Sequence, residues 1–197
     1  LQKYFNYPLP CIIICRGYPC FDEMLVMGMA RKIPIYSTNK ETTQFELDLI
    51  AFLRDRLAPR ETRHGVLVNV FGTGLMITGN SGVGKSEAAM ELIKRGHQLV
   101  ADDVVDIRRV EDNRLIGESP ELVRHFMEIR GVGIIDVSTM YGAGAIMRSK
   151  HIDMVIHLEL WQADKEYDRL GLTDNYIDIL GVKVPSLLLP IHPGRNL

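Results

Sequence analysis

Eight residues, Gly79-Asn80-Ser81-Gly82-Val83-Gly84-Lys85-Ser86, constrain this 197-residue chain more than any other part of it. They fit the spacing G-x-x-x-x-G-K-[ST], follow an apolar stretch that ends at Thr78, and precede the helix-forming run Ser86 to Arg95. Glycines let such a loop turn so that consecutive backbone N–H groups point at phosphate oxygens, at the positive end of the helix that follows. In that setting Lys85 neutralises charge on the β and γ phosphates, and Ser86 is a ligand for Mg²⁺. A strand, a phosphate-cradling loop and a helix are therefore predicted in sequence over this stretch.

The rest of the composition is that of an ordinary globular protein: 46% hydrophobic, 24% charged and a formal net charge of −2. The length allows one domain with room for a smaller partner. Basic and acidic residues are spread over both parts of the chain, so nucleic-acid binding through a basic face is not expected. The longest apolar runs, Cys11 to Cys15 and Leu187 to Leu189, fall far short of the roughly 18 residues a membrane helix needs. With no signal peptide visible either, the expected setting is the cytoplasm, without membrane contact. Cys11, Cys15 and Cys20 have no second cluster to complete a zinc site, and read as reduced, partly buried thiols.

Residues 1 to about 60 alternate strand and helix signals. Cys11 to Cys15 reads as a strand, Phe21 to Lys32 as a helix and Ile33 to Tyr36 as a second strand. Thr42 or Thr43 is placed to cap a further helix, along which Phe45, Leu49, Phe52 and Leu53 recur at helical spacing until Pro59. This is part of a small α/β domain. A linker is predicted at Ala58 to Arg63, leading to a catalytic α/β domain, about 61–197, with a mostly β core. Its strands are expected at Gly65–Phe71, Gly74–Thr78, Gln98–Ala101, Val104–Val110, Arg114–Gly117, Val132–Val137 and Asp153–Leu160, with a polar turn at Glu111-Asp112-Asn113. Pro120 is expected to open a helix that runs through Glu128.

A phosphate-transferring site also needs carboxylates, to hold the metal and to take the proton of an attacking hydroxyl. Asp102-Asp103 follows the apolar Leu99-Val100-Ala101, which sets two acids at a strand end near the loop. Two like charges there raise one pKa toward the working range, as suits a group that both accepts and donates a proton. Glu128, before a glycine-limited turn, is a weaker candidate.

These residues sit in a longer pattern. His64-Gly65-Val66-Leu67-Val68, Lys85-Ser86-Glu87, Lys94-Arg95-Gly96-His97, Val100 to Asp103, Glu128 to Val137, Gly142-Ala143-Gly144, His157 to Trp161, Glu166 to Gly171 and Pro190 to Arg195 all resemble the HPr kinase/phosphorylase family. The stretch Glu128 to Val137 is much more diagnostic than the loop. The resemblance implies a bifunctional enzyme that phosphorylates a serine of the phosphocarrier protein HPr, or a related carrier, using ATP or pyrophosphate. The same enzyme removes that phosphate with inorganic phosphate as co-substrate. It implies that residues Gly79 to Ser86 hold the phosphates and that Ser86 and Glu128 hold Mg²⁺ or Mn²⁺. Asp103, with Asp102 beside it, is implied as the proton shuttle, and His64, Lys85 and Arg169 as further catalytic groups. Pro190, Ile191, His192, Pro193, Gly194 and Arg195 match a segment tied to dephosphorylation. It implies as well a fold like that of phosphoenolpyruvate carboxykinase and assembly into hexamers. Two positions depart from the pattern: Asn80 stands where Asp is usual and His192 where Arg is usual. The sequence looks as if it begins inside the amino-terminal domain and stops short of the family's carboxyl-terminal end. His97, His125, His151 and His157 are expected to be structural, with Trp161 a core or interface anchor. The rival readings are a small-molecule kinase with the same loop, which leaves Glu128 to Val137 unexplained, and a nucleotide-sensing module without chemistry.

Overall fold

The computed structural model describes residues 3–111, 113–165, 167 and 175–192. The chain is a mixed α/β protein that divides into two compact units, Leu1–Leu57 and Ala58–Leu197.

In the first unit a strand β1 (Ile12–Ile14), a helix α1 (Asp22–Arg31), a strand β2 (Ile35–Ser37) and a helix α2 (Thr42–Arg56) follow in order. β1 and β2 pair in parallel, Ile12 opposite Ile35, with α1 as the crossover that a parallel pair requires. The cap of α2 differs from the expectation at Thr42 or Thr43: Glu41 is the last extended residue and makes no side-chain capping bond, so both threonines lie inside the first turn. Of the helical apolar positions, Phe45 and Leu49 are half-buried, while Phe52 and Leu53 face solvent. Cys11, Cys15 and Cys20 are free and half-buried.

The second unit is built on two larger sheets. The first runs β13 (Asn175–Ile179), β14 (Val182–Ile191), β12 (Met154–Leu160), β5 (Thr73–Gly79), β4 (Val66–Val70) and β6 (Gln98–Ala101) in spatial order; the second runs β11 (Ser149–His151), β8 (Arg114–Glu118), β7 (Val104–Glu111) and β3 (Arg60–His64). One core, with Met76, Val105, Ile107, Leu115, Val155 and Val184, is shared by residues of both sheets. A second core gathers Val66, Val68, Ile77 and Leu158 around the buried stripe Ala89, Met90 and Ile93 of helix α3 (Lys85–Lys94). β5 is parallel to β12 and antiparallel to β4, which is in turn antiparallel to β6. The carboxyl ends of β5, β6 and β12 therefore emerge at one edge of the sheet, and so does the start of β4. That edge is where ligands bind in open α/β sheets.

Several elements differ from the sequence reading. The predicted linker is in part a strand: Arg60–His64 pairs antiparallel with β7, Arg60 opposite Arg108 and His64 opposite Val104. As an edge strand made of charged and polar residues it has no apolar alternation to reveal it. The helix predicted from Pro120 to Glu128 is only a 3-10 turn, Glu121–Val123. Arg124 is already extended and His125 takes a left-handed φ of 77°, which breaks the helix. Beyond them β9 (Phe126–Ile129) pairs with β10 (Gly133–Asp136), sending Met127 and Ile135 into the core, and Glu128 stands on a strand. β13 and β14 have no counterpart in the sequence reading; in β14 the reason is that Pro185 and Pro190 punctuate the run, and proline demotes a run as a strand signal. Asp112, in the predicted polar turn, lies outside the described residues. Helix α4 (Val137–Tyr141) follows β10 directly, and no described helix is long and apolar enough to cross a membrane.

Candidate functional site

The loop leaves β5 through Gly79, which packs against β12 so closely that a Cβ there would lie 2.4 Å from the carbonyl oxygen of Leu158. At the other end Gly84, with φ 104°, is the left-handed cap from which α3 starts at Lys85. Two internal anchors hold the turn between them. The Val83 side chain is buried in the core, and its N–H donates to the Asn80 carbonyl at 3.2 Å. The Lys85 ammonium folds back over the loop and donates to the carbonyls of Gly79 and Asn80 at 3.0 and 3.1 Å. A compact loop with a cation held across it, at a helix N-terminus, is a seat for phosphate oxygens.

The two adjacent aspartates have separate environments. Asp102 is buried: its Oδ1 accepts the Ser86 hydroxyl at 2.9 Å and its Oδ2 accepts the Glu128 backbone N–H at 3.0 Å. One carboxylate thus joins the start of α3, the end of β6 and the middle of β9. Burial pushes its pKa up, the Glu128 amide and the Ser86 hydroxyl pull it back, and the charge of Asp103 adds to the rise. Asp103 has a left-handed φ of 64° that turns its side chain outward, 73% exposed, while its carbonyl accepts the Gly65 N–H at 3.0 Å. Its Oδ1 lies 3.8 Å from Nδ1 of His64, the last residue of β3, itself exposed.

A polar cleft opens above these groups. Ser81, Gly82, the first turn of α3, Asp102, Asp103, Glu128 and Arg130 line it. Arg130 and Glu87 are lining residues that sequence reasoning passed over. The guanidinium of Arg130 lies on the loop, so close that a Cβ at Gly82 would be 2.5 Å from its Nη1. The available signal was the spacing of two from Glu128, which on an extended chain sets both residues on one face.

Among the described residues no group of three or more His, Cys, Asp or Glu side chains could hold a metal ion by itself. The donors on hand are hard oxygens, the Ser86 hydroxyl and the Glu128 carboxylate, with Asp102 bonded to both of those residues. That set fits Mg²⁺ or Mn²⁺, which are commonly bound through one or two carboxylates together with substrate phosphates.

Among the described residues, Pro190, Ile191 and His192 do not line the cleft. Pro190 and Ile191 end β14 opposite Glu159 and Leu160, with Ile191 in the core, and His192 stacks on Trp161 with ring centroids 4.8 Å apart. Arg169, Pro193, Gly194 and Arg195 lie outside the described residues. His97 is buried, edge-on to Phe71; His151 bonds Asp153 at 2.7 Å, and His157 meets the Thr78 hydroxyl at 3.1 Å.

Comparison with known proteins bears on this site. The family described as HPr Serine kinase C-terminal domain matches residues 55–197, and that described as HPr Serine kinase N terminus matches residues 1–53. The chain is 52% identical over 197 residues to the HPr kinase/phosphorylase of Caldicellulosiruptor bescii, covering 100% of this chain and 63% of that protein. It is 49% identical to the protein of the same name from Lachnoclostridium phytofermentans, again over 100% of this chain and 64% of that protein. The chain thus spans less than two thirds of the length of these relatives. Among solved structures, the HPr(Ser) kinase/phosphatase from Coxiella burnetii superposes with a TM-score of 0.62 at 39% identity, covering 69% of this chain and 82% of that chain.

Proposed function

The chain belongs to the HPr serine kinase family, and from that premise we propose that its cleft transfers a phosphoryl group to a serine of HPr or a related carrier, and removes it by phosphorolysis. The observation that carries this reading is the division of labour in the aspartate pair. Asp102 is buried and bonds both proposed metal-binding residues, while Asp103 is exposed, beside His64, at the mouth of a loop built for phosphates.

In the forward direction the loop amides and Lys85 hold the donor phosphates, with Arg130 close enough to share their charge. Asp103 takes the proton of the serine hydroxyl as that oxygen bonds to the γ-phosphorus and the bridging oxygen leaves with ADP, or with phosphate when pyrophosphate is the donor. In reverse, an oxygen of inorganic phosphate bonds to the phosphoserine phosphorus. The bond to the serine oxygen breaks, Asp103 returns the proton to it, and pyrophosphate leaves. Mg²⁺ or Mn²⁺, when bound through Ser86 and Glu128, neutralises charge on the phosphates in both directions. His64, beside Asp103, orients that carboxylate, and Arg169 is proposed as a further group stabilising charge on the moving phosphoryl. Residues Pro190 to Arg195 are proposed to serve dephosphorylation. The polar lining of the cleft favours phosphates over a nucleoside as the recognised part of the donor, which suits pyrophosphate as an alternative to ATP.

We also propose the architecture that goes with this activity. It comprises an amino-terminal α/β part over residues 1–60, a catalytic domain over 61–197 related to phosphoenolpyruvate carboxykinase, assembly into hexamers, and work in the cytoplasm. The experiment is to incubate the purified protein with Mg²⁺-ATP and HPr, follow serine phosphate by mass, and then add inorganic phosphate. Labelled HPr followed by its loss with release of pyrophosphate is the expected course. No label under any divalent metal defeats the kinase reading; label that phosphate cannot strip defeats the phosphorylase half.

A further inference from the structure

The polar cleft over the loop is too small for a whole nucleotide. It encloses about 130 Å³, against the roughly 300–1,000 Å³ of sites that bury a small organic ligand. Among the described residues its lining includes no aromatic or aliphatic side chain. Phosphates fit there, and a purine does not. In phosphoryl transfer the attacking and leaving oxygens lie in line across the phosphorus, so with the acceptor met by Asp103 the rest of the donor leaves on the far side of the loop. The strand order fixes what lies there. β4 and β6, with Asp102 and Asp103 at the end of β6, flank β5 on one side, and β12 and β14 flank it on the other.

At the carboxyl edge of that side stand Trp161 and His192, the residues that follow β12 and β14, stacked with ring centroids 4.8 Å apart and planes 26° from parallel. The Trp161 N–H donates to the Ile191 carbonyl at 2.9 Å, so the pair stands on bonded backbone. The chain that leaves Trp161 is tied down as well. Glu159 accepts the Lys165 ammonium at 2.9 and 2.7 Å and the Tyr167 hydroxyl at 3.4 Å, and that hydroxyl accepts the Gln162 N–H at 3.0 Å. With one ring already against it, Trp161 is still 41% exposed. Leu158 is opposite Gly79 and Trp161 comes three residues later, so at strand spacings the backbones of Gly79 and Trp161 are about 11 Å apart. A nucleotide whose phosphates lie on the loop spans that gap. We propose that Trp161, backed by His192, is the stacking platform for the base of ATP, outside the polar cleft. This rests on the kinase reading above. Base stacking on an aromatic ring needs only a π-face, and pyrophosphate, which has none, gains nothing from the platform.

Trp161 is the only tryptophan of the chain, so its emission reports on the platform in the wild-type protein. Titration with ADP should change that emission, and pyrophosphate, taken to saturation as followed by calorimetry, should not. In transfer from Mg²⁺-ATP to HPr, Trp161→Leu should raise the KM for ATP roughly five- to hundredfold. The Kd for pyrophosphate, the KM for HPr and the rate at saturating ATP should stay at their wild-type values. Trp161→Phe, which keeps a π-face, should lie between the two. An emission that responds to neither ligand, or equally to both, overturns the proposal, since the second would report a movement of the loop and not a stacked base. So does a KM for ATP that Trp161→Leu leaves unchanged, or one that rises together with the Kd for pyrophosphate. If Trp161→Leu does not fold, the wild-type titrations decide alone. A wild-type protein that never labels HPr defeats the kinase reading itself, while its emission with ADP against pyrophosphate still decides whether Trp161 meets a base.

Discussion

The donor side of the cleft and its acceptor side are made in opposite ways. On the donor side nearly every polar group already has a partner within the protein: Lys85 on two loop carbonyls, Ser86 on Asp102, and Asp102 on the Glu128 amide. On the proposed acceptor side Asp103 and His64 stand exposed 3.8 Å apart, and Ile134 and Val132 are exposed as well. The difference teaches where the site is preorganised. Phosphate is met by fixed groups, which is how electrostatic stabilisation escapes the cost of reorganising at the moment of reaction. In the proposed reaction, the hydroxyl and the protein that carries it would be met by groups that the partner itself must desolvate.

Substituting Asp103 tests that contrast most severely. Asp103→Asn keeps the size of the side chain and removes its basicity, so transfer to HPr should fall by roughly 10²–10⁴ while binding of ATP, followed by calorimetry, is retained. Because one carboxyl serves both directions, phosphorolysis should fall in proportion. A variant that lost one activity and kept the other would break the single-shuttle account.

Asp102 should answer differently, through stability and pH. Burial holds its folded pKa above the ordinary 3.8, so between 3.8 and that raised value the folded chain binds more protons than the unfolded one. Stability must then fall as pH rises through this window. Asp102→Asn, measured by chemical denaturation in metal-free buffer, should flatten that slope. Asp102→Ala should destabilise at every pH, by about 1–3 kcal/mol for leaving a buried donor without its acceptor. Asp103→Asn, at an exposed position whose left-handed φ asparagine tolerates, should leave stability unchanged.

Gly82 probes the join between the two sides. Its φ of 78° disfavours any Cβ, and the one added by Gly82→Ala would meet the Arg130 guanidinium. Arg130 is the flexible end of that contact, so it should swing off the loop and leave the fold in place. The KM for ATP should rise several-fold with little change in the KM for HPr. An equal rise in both would mean that Arg130 also belongs to the acceptor side.

How much of this was legible beforehand follows the same division. The donor loop is local: eight consecutive residues between a strand and a helix, each needed for its own backbone geometry, so Gly79 to Ser86 could be read in place. The closeness of Asp102 to Ser86 depended on β6 running parallel to β5, which the apolar run before Asp102 only hinted at. Separating the two aspartates was out of reach, because it turns on the left-handed φ of Asp103. The strand that carries Glu128 reads as helix from the sequence, since Pro120 and the run behind it carry good helix signals and only His125 breaks them, whereas its partner strand is legible at Val132–Val137. Without β9 its pairing with that strand, and so the common face of Glu128, Phe126 and Ile134, is not legible. β3 and β14 were hidden for different reasons, one by its charge and the other by its prolines.

The smallest expected effect belongs to the one part of the acceptor side that is built in advance. Asp136, at the end of β10, caps α4 by accepting from the Ser138 hydroxyl at 2.7 Å, the Thr139 N–H at 3.1 Å and the Thr139 hydroxyl at 2.9 Å. Those donors hold its carboxyl below the usual 3.8, the Ser138 hydroxyl foremost. A depressed folded pKa means that the cap contributes above the unfolded value and fades as pH falls below it. Asp136→Ala should therefore lower the melting temperature slightly at neutral pH and leave it nearly unchanged in strong acid, where the wild-type cap is protonated as well. If entry of the proposed acceptor depends on a hairpin held at this end, the same variant should raise the KM for HPr modestly without touching that for ATP. A change in the KM for ATP instead would show that the cap supports Glu128 and the donor side, and the boundary between the two sides would have to be drawn beyond the hairpin.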